Sequence, residues 1–242
     1  MSEWFDSLKA QFILNFVEKS RWRYLWNGLL TTLHITFFAV IIGIVLGTII
    51  AIIRSTADRA LPSMHRGPGR TILKAVDKVC QVYLTVIRGT PVVIQLMIFY
   101  YVIFASSRNS VLIAIISFGL NSAAYVAEVV RGGIMSVDIG QTEAGRSLGF
   151  SYVQTMWLIV VPQALKNVLP SLANEFIVLL KETSVAGYVA IKDLTKGGDI
   201  IRGATYSPFM PLIAVALIYL VLVMFFSWLV GKLERRLRNS DH

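Results

Sequence analysis

Cysteine and histidine are nearly absent from this chain. There is one cysteine, Cys80, and there are three histidines, His34, His65 and His242. A single thiol excludes an internal disulfide and a cysteine-based metal site, and the histidines stand at no metal-ligand spacing. No glycine-rich loop ends in Gly-Lys-Ser/Thr, so no phosphate cradle is encoded. Gly67-Pro68-Gly69 and Gly197-Gly198 read as turns in basic loops, and no Ser/His/Asp set can be assembled. No chemistry-bearing constellation remains: the chain alone is not expected to be an enzyme and holds no cofactor. Internal repeats and low-complexity segments are also lacking, and the first apolar run begins too late and runs too long for a cleavable signal.

Acidic residues are few, 14 against 23 Lys and Arg, for a net charge of +9. In a soluble protein this would point to nucleic acid. Here 55% of the residues are hydrophobic, and uncharged runs recur at Ile35–Ile53, Gly89–Ser107, Val111–Ala127 and Gly203–Gly231. About 20 apolar residues span a bilayer as a helix, and these runs are too long for barrel strands. The reading is an all-α, multi-pass membrane protein with no nucleic-acid partner. A fourth span, weakened by Glu175, Lys181 and Glu182, completes five: about 26–53, 82–106, 110–133, 166–191 and 206–231. The basic loop Ser55–Lys78 reads as a solvated, partly disordered linker. This loop and the basic tail 232–242 belong in the cytoplasm by the positive-inside rule, which puts the N-terminus outside. Residues 1–24, with Trp4, Phe5 and Phe12 among charges, read as an amphipathic segment on the outer surface.

The stretch Asp138–Pro162 is polar and stands between spans. Asp138 is placed to cap a helix over Ile139–Leu148, with Gln141 at the capping-box position and Gly149 as terminator. Ser151 and Gln154 repeat the signature for a second helix, which Pro162 should end or kink. Glu143 and Arg146, three apart, can pair or meet a partner, and Ala144 and Gly145 would let a partner surface approach closely. A capped helix kept outside the lipid suits a soluble partner.

Within the spans, Asn174 and Glu175 are costly and are read as functional. Asn121, Ser122 and Tyr125 share a helix with Glu128. Gln95 and Phe99 stand i,i+4 on the second span. The bland alternative for Asn174 and Glu175 is an interhelical hydrogen bond to Asn121 or Gln95. Glu128 and Arg131 are spaced to pair. Arg88 precedes Gly89 and Pro91, where a helix should break, and is read as holding free carbonyls or reaching the interface. Gly43 and Gly47 have the spacing of a close-packing helix face.

Glu143-Ala144, Gly149 and Ile159-Val160-Val161-Pro162 resemble the EAA loop of ATP-binding-cassette importer permeases, with Gly145 where alanine is usual. Arg88-Gly89-Thr90-Pro91 with Gln95, Ala124 to Ile134, Pro162-Gln163-Ala164, Pro170 with Asn174, and Lys181-Glu182-Thr183-Ser184 extend the likeness. Over about residues 22–238 the chain is similar to the polar amino acid permeases, the histidine/glutamine/arginine class. That resemblance implies a five-span type I importer permease in a bacterial cell membrane. It implies a second permease, identical or homologous, two ATPase subunits carrying ATP and Mg, and an extracytoplasmic binding protein. It makes Asp138, Gln141, Glu143, Ala144, Arg146 and Gly149 the ATPase-coupling residues. It sets substrate near Asn174 and Glu175, and helical spacing adds Asn121, Gln95 and Phe99 as candidates for further walls. An ion-coupled transporter acting without an ATPase is the alternative, disfavoured by the missing repeat.

Overall fold

A computed structural model describes residues 2–238. All its regular elements are helical: α1 (Ser2–Phe12), α2 (Trp22–Ala60), α3 (Pro68–Gly89), α4 (Val92–Ile98), α5 (Ser110–Met135), α6 (Ile139–Ser147), α7 (Tyr152–Thr155), α8 (Val161–Glu182), α9 (Leu194–Thr205) and α10 (Phe209–Arg238). One-turn π segments follow α1, α4 and α7, at Ile13–Val17, Phe99–Ile103 and Met156–Val160, and a 3₁₀ stretch, Thr183–Val189, continues α8. Four helical runs are long and apolar enough to cross a membrane: Trp22–Ala60, Ser110–Met135, Tyr152–Val189 and Phe209–Leu237. A fifth arises if Pro68–Gly89 and Val92–Ile103 are taken together across the break at Thr90–Pro91. Pro91 cannot donate to a preceding carbonyl and disfavours the helical conformation at Thr90, which is extended at φ −122, ψ 145.

Three readings of the sequence are corrected. Ser55–Lys78 is not a disordered linker: α2 continues to Ala60 and α3 starts at Pro68, leaving only residues 61–67 outside helix. Pro68 suits a first helical turn, where its missing N–H costs nothing. Gly197-Gly198 is not a turn but lies inside α9. Pro162 does not end its helix, for it stands second in α8, directly behind the π segment.

The chain divides into two compact units. The first takes residues up to Phe38, Val92–Phe118 and Ile177–Leu229. Its core packs Phe16, Leu25, Leu194, Ile201 and Val215. Here α2 and α9 approach to backbone contact. A Cβ on Gly28 would stand 2.5 Å from the Asp193 carbonyl oxygen, and one on Gly197 would stand 2.5 Å from that of Tyr24. Thr32 Oγ1 accepts from the Leu194 amide at 3.1 Å. Asp193 is buried and caps α9, accepting from the amides of Thr195 at 3.2 Å and Lys196 at 2.9 Å. Burial pushes its carboxyl up, and the hydrogen bonds it accepts oppose that shift. Asn15, fully buried in the π segment, receives a 2.7 Å bond from Thr205 Oγ1 and donates to Ser207 Oγ at 3.3 Å.

The second unit takes Ala39–Pro91, Gly119–Phe176 and the chain from Val230 on. Ala51, Val126, Ile134, Val160, Ala164 and Val168 fill its main core. The paired glycines of α2 do pack closely: a Cβ on Gly43 would stand 2.6 Å from Ser122 Oγ, and one on Gly47 would stand 2.6 Å from Val126 Cγ1. Ion pairs border this core. Arg88 meets Glu128 at 3.5 Å, Arg131 holds Glu128 at 3.2 Å and Asp58 at 3.4 Å, and Arg54 meets Asp77 at 3.4 Å. Arg88 thus has an ionic partner that its place before the Gly89–Pro91 break did not indicate. Its guanidinium pairs with Glu128 and lies 5.9 Å from the centre of the Tyr125 ring.

Candidate functional site

The polar segment folds as its caps dictate. Asp138 accepts from the Gly140 amide at 2.6 Å and starts α6, which ends at Ser147. Gly149, at φ +88, takes the left-handed conformation that favours glycine and turns the chain. The amides of Leu148, Gly149 and Phe150 then close on carbonyls of α6. Ser151 and Gln154 form a full capping box at the start of α7. Of the box expected at Asp138, the Gln141 amide bonds the Asp138 carbonyl, and the Gln141 side chain instead receives Gln163 Nε2 at 3.4 Å.

This hairpin has a buried and an open side. Gly145 is buried, and a Cβ there would stand 2.8 Å from Thr155 Cγ2 and 2.9 Å from Ile159 Cδ1. It serves the seat between α6 and the following helix rather than the approach of a partner, which corrects that part of the expectation. Ala144 does face outward, with Glu143, Arg146 and Leu148. Ile139 is 74% exposed and Leu148 77%, a high cost unless something covers them. No ion pair joins Glu143 to Arg146 among the described residues. At Met156–Val160 the bond from the Val161 amide reaches back to Met156 O, a wider turn than α. The widening accommodates Pro162, which has no N–H for the Leu158 carbonyl and would otherwise press its ring against it.

Inside the spans, Ser122 Oγ donates to Glu175 Oε1 at 2.9 Å. The partner of Glu175 is thus neither Asn121 nor Gln95. Glu175 is half-buried, Asn174 beside it is exposed, and Asn121 is buried next to Ser122. Gly43 of α2 abuts the same Ser122 that bonds Glu175, so Ser122 of α5 stands between α2 and α8. A half-buried carboxylate with a single hydroxyl donor keeps acceptor capacity for a cationic or N–H group. Gln95 is buried on α4 and Phe99 opens the following π segment, both in the first unit. Sequence reasoning missed Asp193 and Thr32, although Asp193 followed by Leu-Thr-Lys is a readable N-cap.

Residues 67–239 match the family described as the binding-protein-dependent transport system inner membrane component. The chain belongs to this family. Among relatives, the putative glutamine transport system permease protein GlnP of Rickettsia bellii is 36% identical over 217 residues, covering 88% of this chain and 93% of that protein. The arginine transport system permease protein ArtQ of Bacillus subtilis is 34% identical over 221 residues, covering 90% and 94%. A crystal structure of an amino acid ABC transporter with histidines aligns with a TM-score of 0.79 and 38% identity, over 91% of this chain and 98% of that one. The MetNI methionine ABC transporter in an inward-facing conformation aligns at a TM-score of 0.72 with 21% identity, a likeness of fold alone. The protein is therefore a multi-pass ABC permease of the type I importer fold.

Proposed function

We propose that this permease is the membrane subunit of an ATP-driven importer for a polar amino acid, cationic or zwitterionic. The observation that carries the reading is the capped, outward-facing α6 with its exposed Ile139, Glu143, Arg146 and Leu148. A helix so braced on one side and bare on the other suits a soluble ATPase, whose closure it passes into α8 through the Gly145–Thr155 seat. ATP and Mg belong to that separate subunit, two of which serve a pair of permeases, and a binding protein delivers substrate from outside. The α6 hairpin, the basic residues 54–78 and the tail lie in the cytoplasm; the N-terminal segment lies outside.

Glu175, held by Ser122, is the proposed counter-charge for the substrate's ammonium or cationic side chain, and Asn174 and Asn121 its polar neighbours. Gln95 and Phe99, in the first unit, are kept as candidate substrate contacts by this reading. Glutamine and arginine in the relatives' names favour that substrate class. Alternating access moves the substrate inward.

The test is ATP hydrolysis by the complex reconstituted in liposomes with its ATPase and binding protein, across a panel of amino acids. Stimulation by one or two polar amino acids is expected. Stimulation by none of them, from an assembled complex, would remove the amino acid assignment.

A further inference from the structure

The second unit contains a trough of about 800 Å³ that no part of the transport reading uses. One wall is a single face of α2, every fourth residue from Val40 to Thr56, about 24 Å long at 1.5 Å per residue. That exceeds the roughly 15 Å of hydrocarbon in one leaflet. The opposite wall comes from Trp157, Leu165 and Leu169 on the α7–α8 run, and all three are exposed.

The two ends of the trough differ. One turn beyond Ser55 and Thr56 on α2 stands Arg59, whose guanidinium is bonded to the trough's lining. Arg59 donates to the Ile134 carbonyl at 3.2 Å and to Met156 Sδ at 3.5 Å, and both of those residues line the trough. Two anchors leave part of its fork of five N–H donors for another acceptor. Leu233 of α10 lines the trough, and the exposed Arg236 follows one turn later on the same face. An apolar channel of acyl-chain length, with Arg59 bonded to two of its lining residues and Arg236 one turn beyond a third, has the polarity of a phospholipid with an anionic headgroup. A helix from a second copy of the chain would instead fill the channel with protein and exclude either kind of lipid.

We propose that this trough binds one anionic glycerophospholipid, its acyl chains along α2 and α8 and its phosphate at Arg59 and Arg236. That this lies in the cytoplasmic leaflet rests on the orientation given above; the site itself does not. Anionic lipids are attracted by basic groups at about 1 kcal/mol per Arg, so each arginine removed should weaken the preference roughly fivefold.

Trp157 provides the probe. The assembled complex, with Trp4, Trp22, Trp26 and Trp228 of the permease replaced by Phe, is placed in nanodiscs of either bromine-labelled phosphatidylglycerol or bromine-labelled phosphatidylcholine. Partner tryptophans are handled by subtracting a Trp157→Phe complex. Stronger quenching by the glycerol lipid is expected, with the difference lost in Arg59→Gln and reduced in Arg236→Gln. If Arg59→Gln does not assemble, Arg236→Gln and the trough-filling Ala173→Phe carry the test. Equal quenching by both lipids would mean ordinary surrounding lipid and overturn the proposal. No quenching by either would mean the trough is filled by protein, and would overturn it too. Neither outcome depends on whether amino acids are transported.

Discussion

Placing a methyl group on Gly197 should wedge α9 away from α2. It would stand 2.5 Å from the Tyr24 carbonyl oxygen, 3.0 Å from the carbonyl carbon and 3.4 Å from the Leu25 nitrogen. All three are backbone atoms and cannot swing aside. Overpacking of this kind costs about 1–3 kcal/mol. Gly197→Ala recovers up to about 1 kcal/mol of helix propensity. Strain on the Thr32–Leu194 bond next door returns about the same amount. The net expectation is a loss of about 1–3 kcal/mol, by the same principles. Gly203 lies in the same helix with nothing within 4 Å of its Cβ position, so Gly203→Ala should be neutral or stabilising by up to about 1 kcal/mol. Gly28→Ala strains the same junction from the other side, against Asp193 and Leu194, and the double variant should cost less than the sum. Thermal unfolding of the purified complex in one detergent compares all four. Gly197→Ala as stable as Gly203→Ala would refute the close-contact argument.

Four other predictions use the same protein. Glu143→Lys should abolish substrate-stimulated ATP hydrolysis or release the ATPase while the permease still inserts; unchanged coupled transport would deny α6 its role. Glu175→Gln should raise the substrate concentration needed for half-maximal stimulation without changing basal ATPase activity, and an unaltered response would take Glu175 off the substrate path. Glu128→Gln should destabilise by about 1 kcal/mol, since the pairs are part-exposed and Arg131 keeps Asp58; a calorimetric change near zero would count these pairs as idle.

The fourth concerns pH. Asp193 has a raised carboxyl in the folded state, so its charged form weighs against folding, and that penalty grows as pH climbs from the ordinary carboxylate value through the raised one. Asp199 is lowered by bonds from Lys196 and Arg202, so its contribution is complete above the ordinary carboxylate value and is lost as pH falls through the lowered one. Asp193→Asn keeps an N-cap and should gain stability relative to the parent as pH is raised; melting curves that stay parallel at every pH would contradict it.

Local signals in the sequence were good guides where the structure is local. Asp138, Gly149, Ser151 and Gln154 mark both ends of α6 and the start of α7 to within a residue, because capping is decided by bonds three or four residues long. The break at Gly89–Pro91 and the glycine face of α2 were legible for the same reason. Charge runs misled at Ser55–Lys78, where Arg54 and Arg59 do not merely solvate a linker but bind Asp77, Ile134 and Met156. Such partners lie tens of residues away and carry no spacing signal. The residues around Glu175 were nominated as polar groups in a span, yet the choice of Ser122 over Asn121 depends on how α5 is rotated against α8, which periodicity does not specify. Pro162 misled because the rule for proline presumes a regular α-helix, and the π segment before it suspends that rule.

The π segment also fixes a phase. At 3.6 residues per turn, one extra residue swings everything beyond it by about 100° around the helix axis. Thr155 and Ile159, which seat Gly145, stand on opposite sides of the segment's first residue and still face the same neighbour. The distance in residues from this seat to Glu175 is therefore a setting, like the timing between two gears on one shaft. Deleting a single residue between Met156 and Val160 would give a smoother helix and a mistimed one, with α6 and the carboxylate turned a quarter-revolution apart.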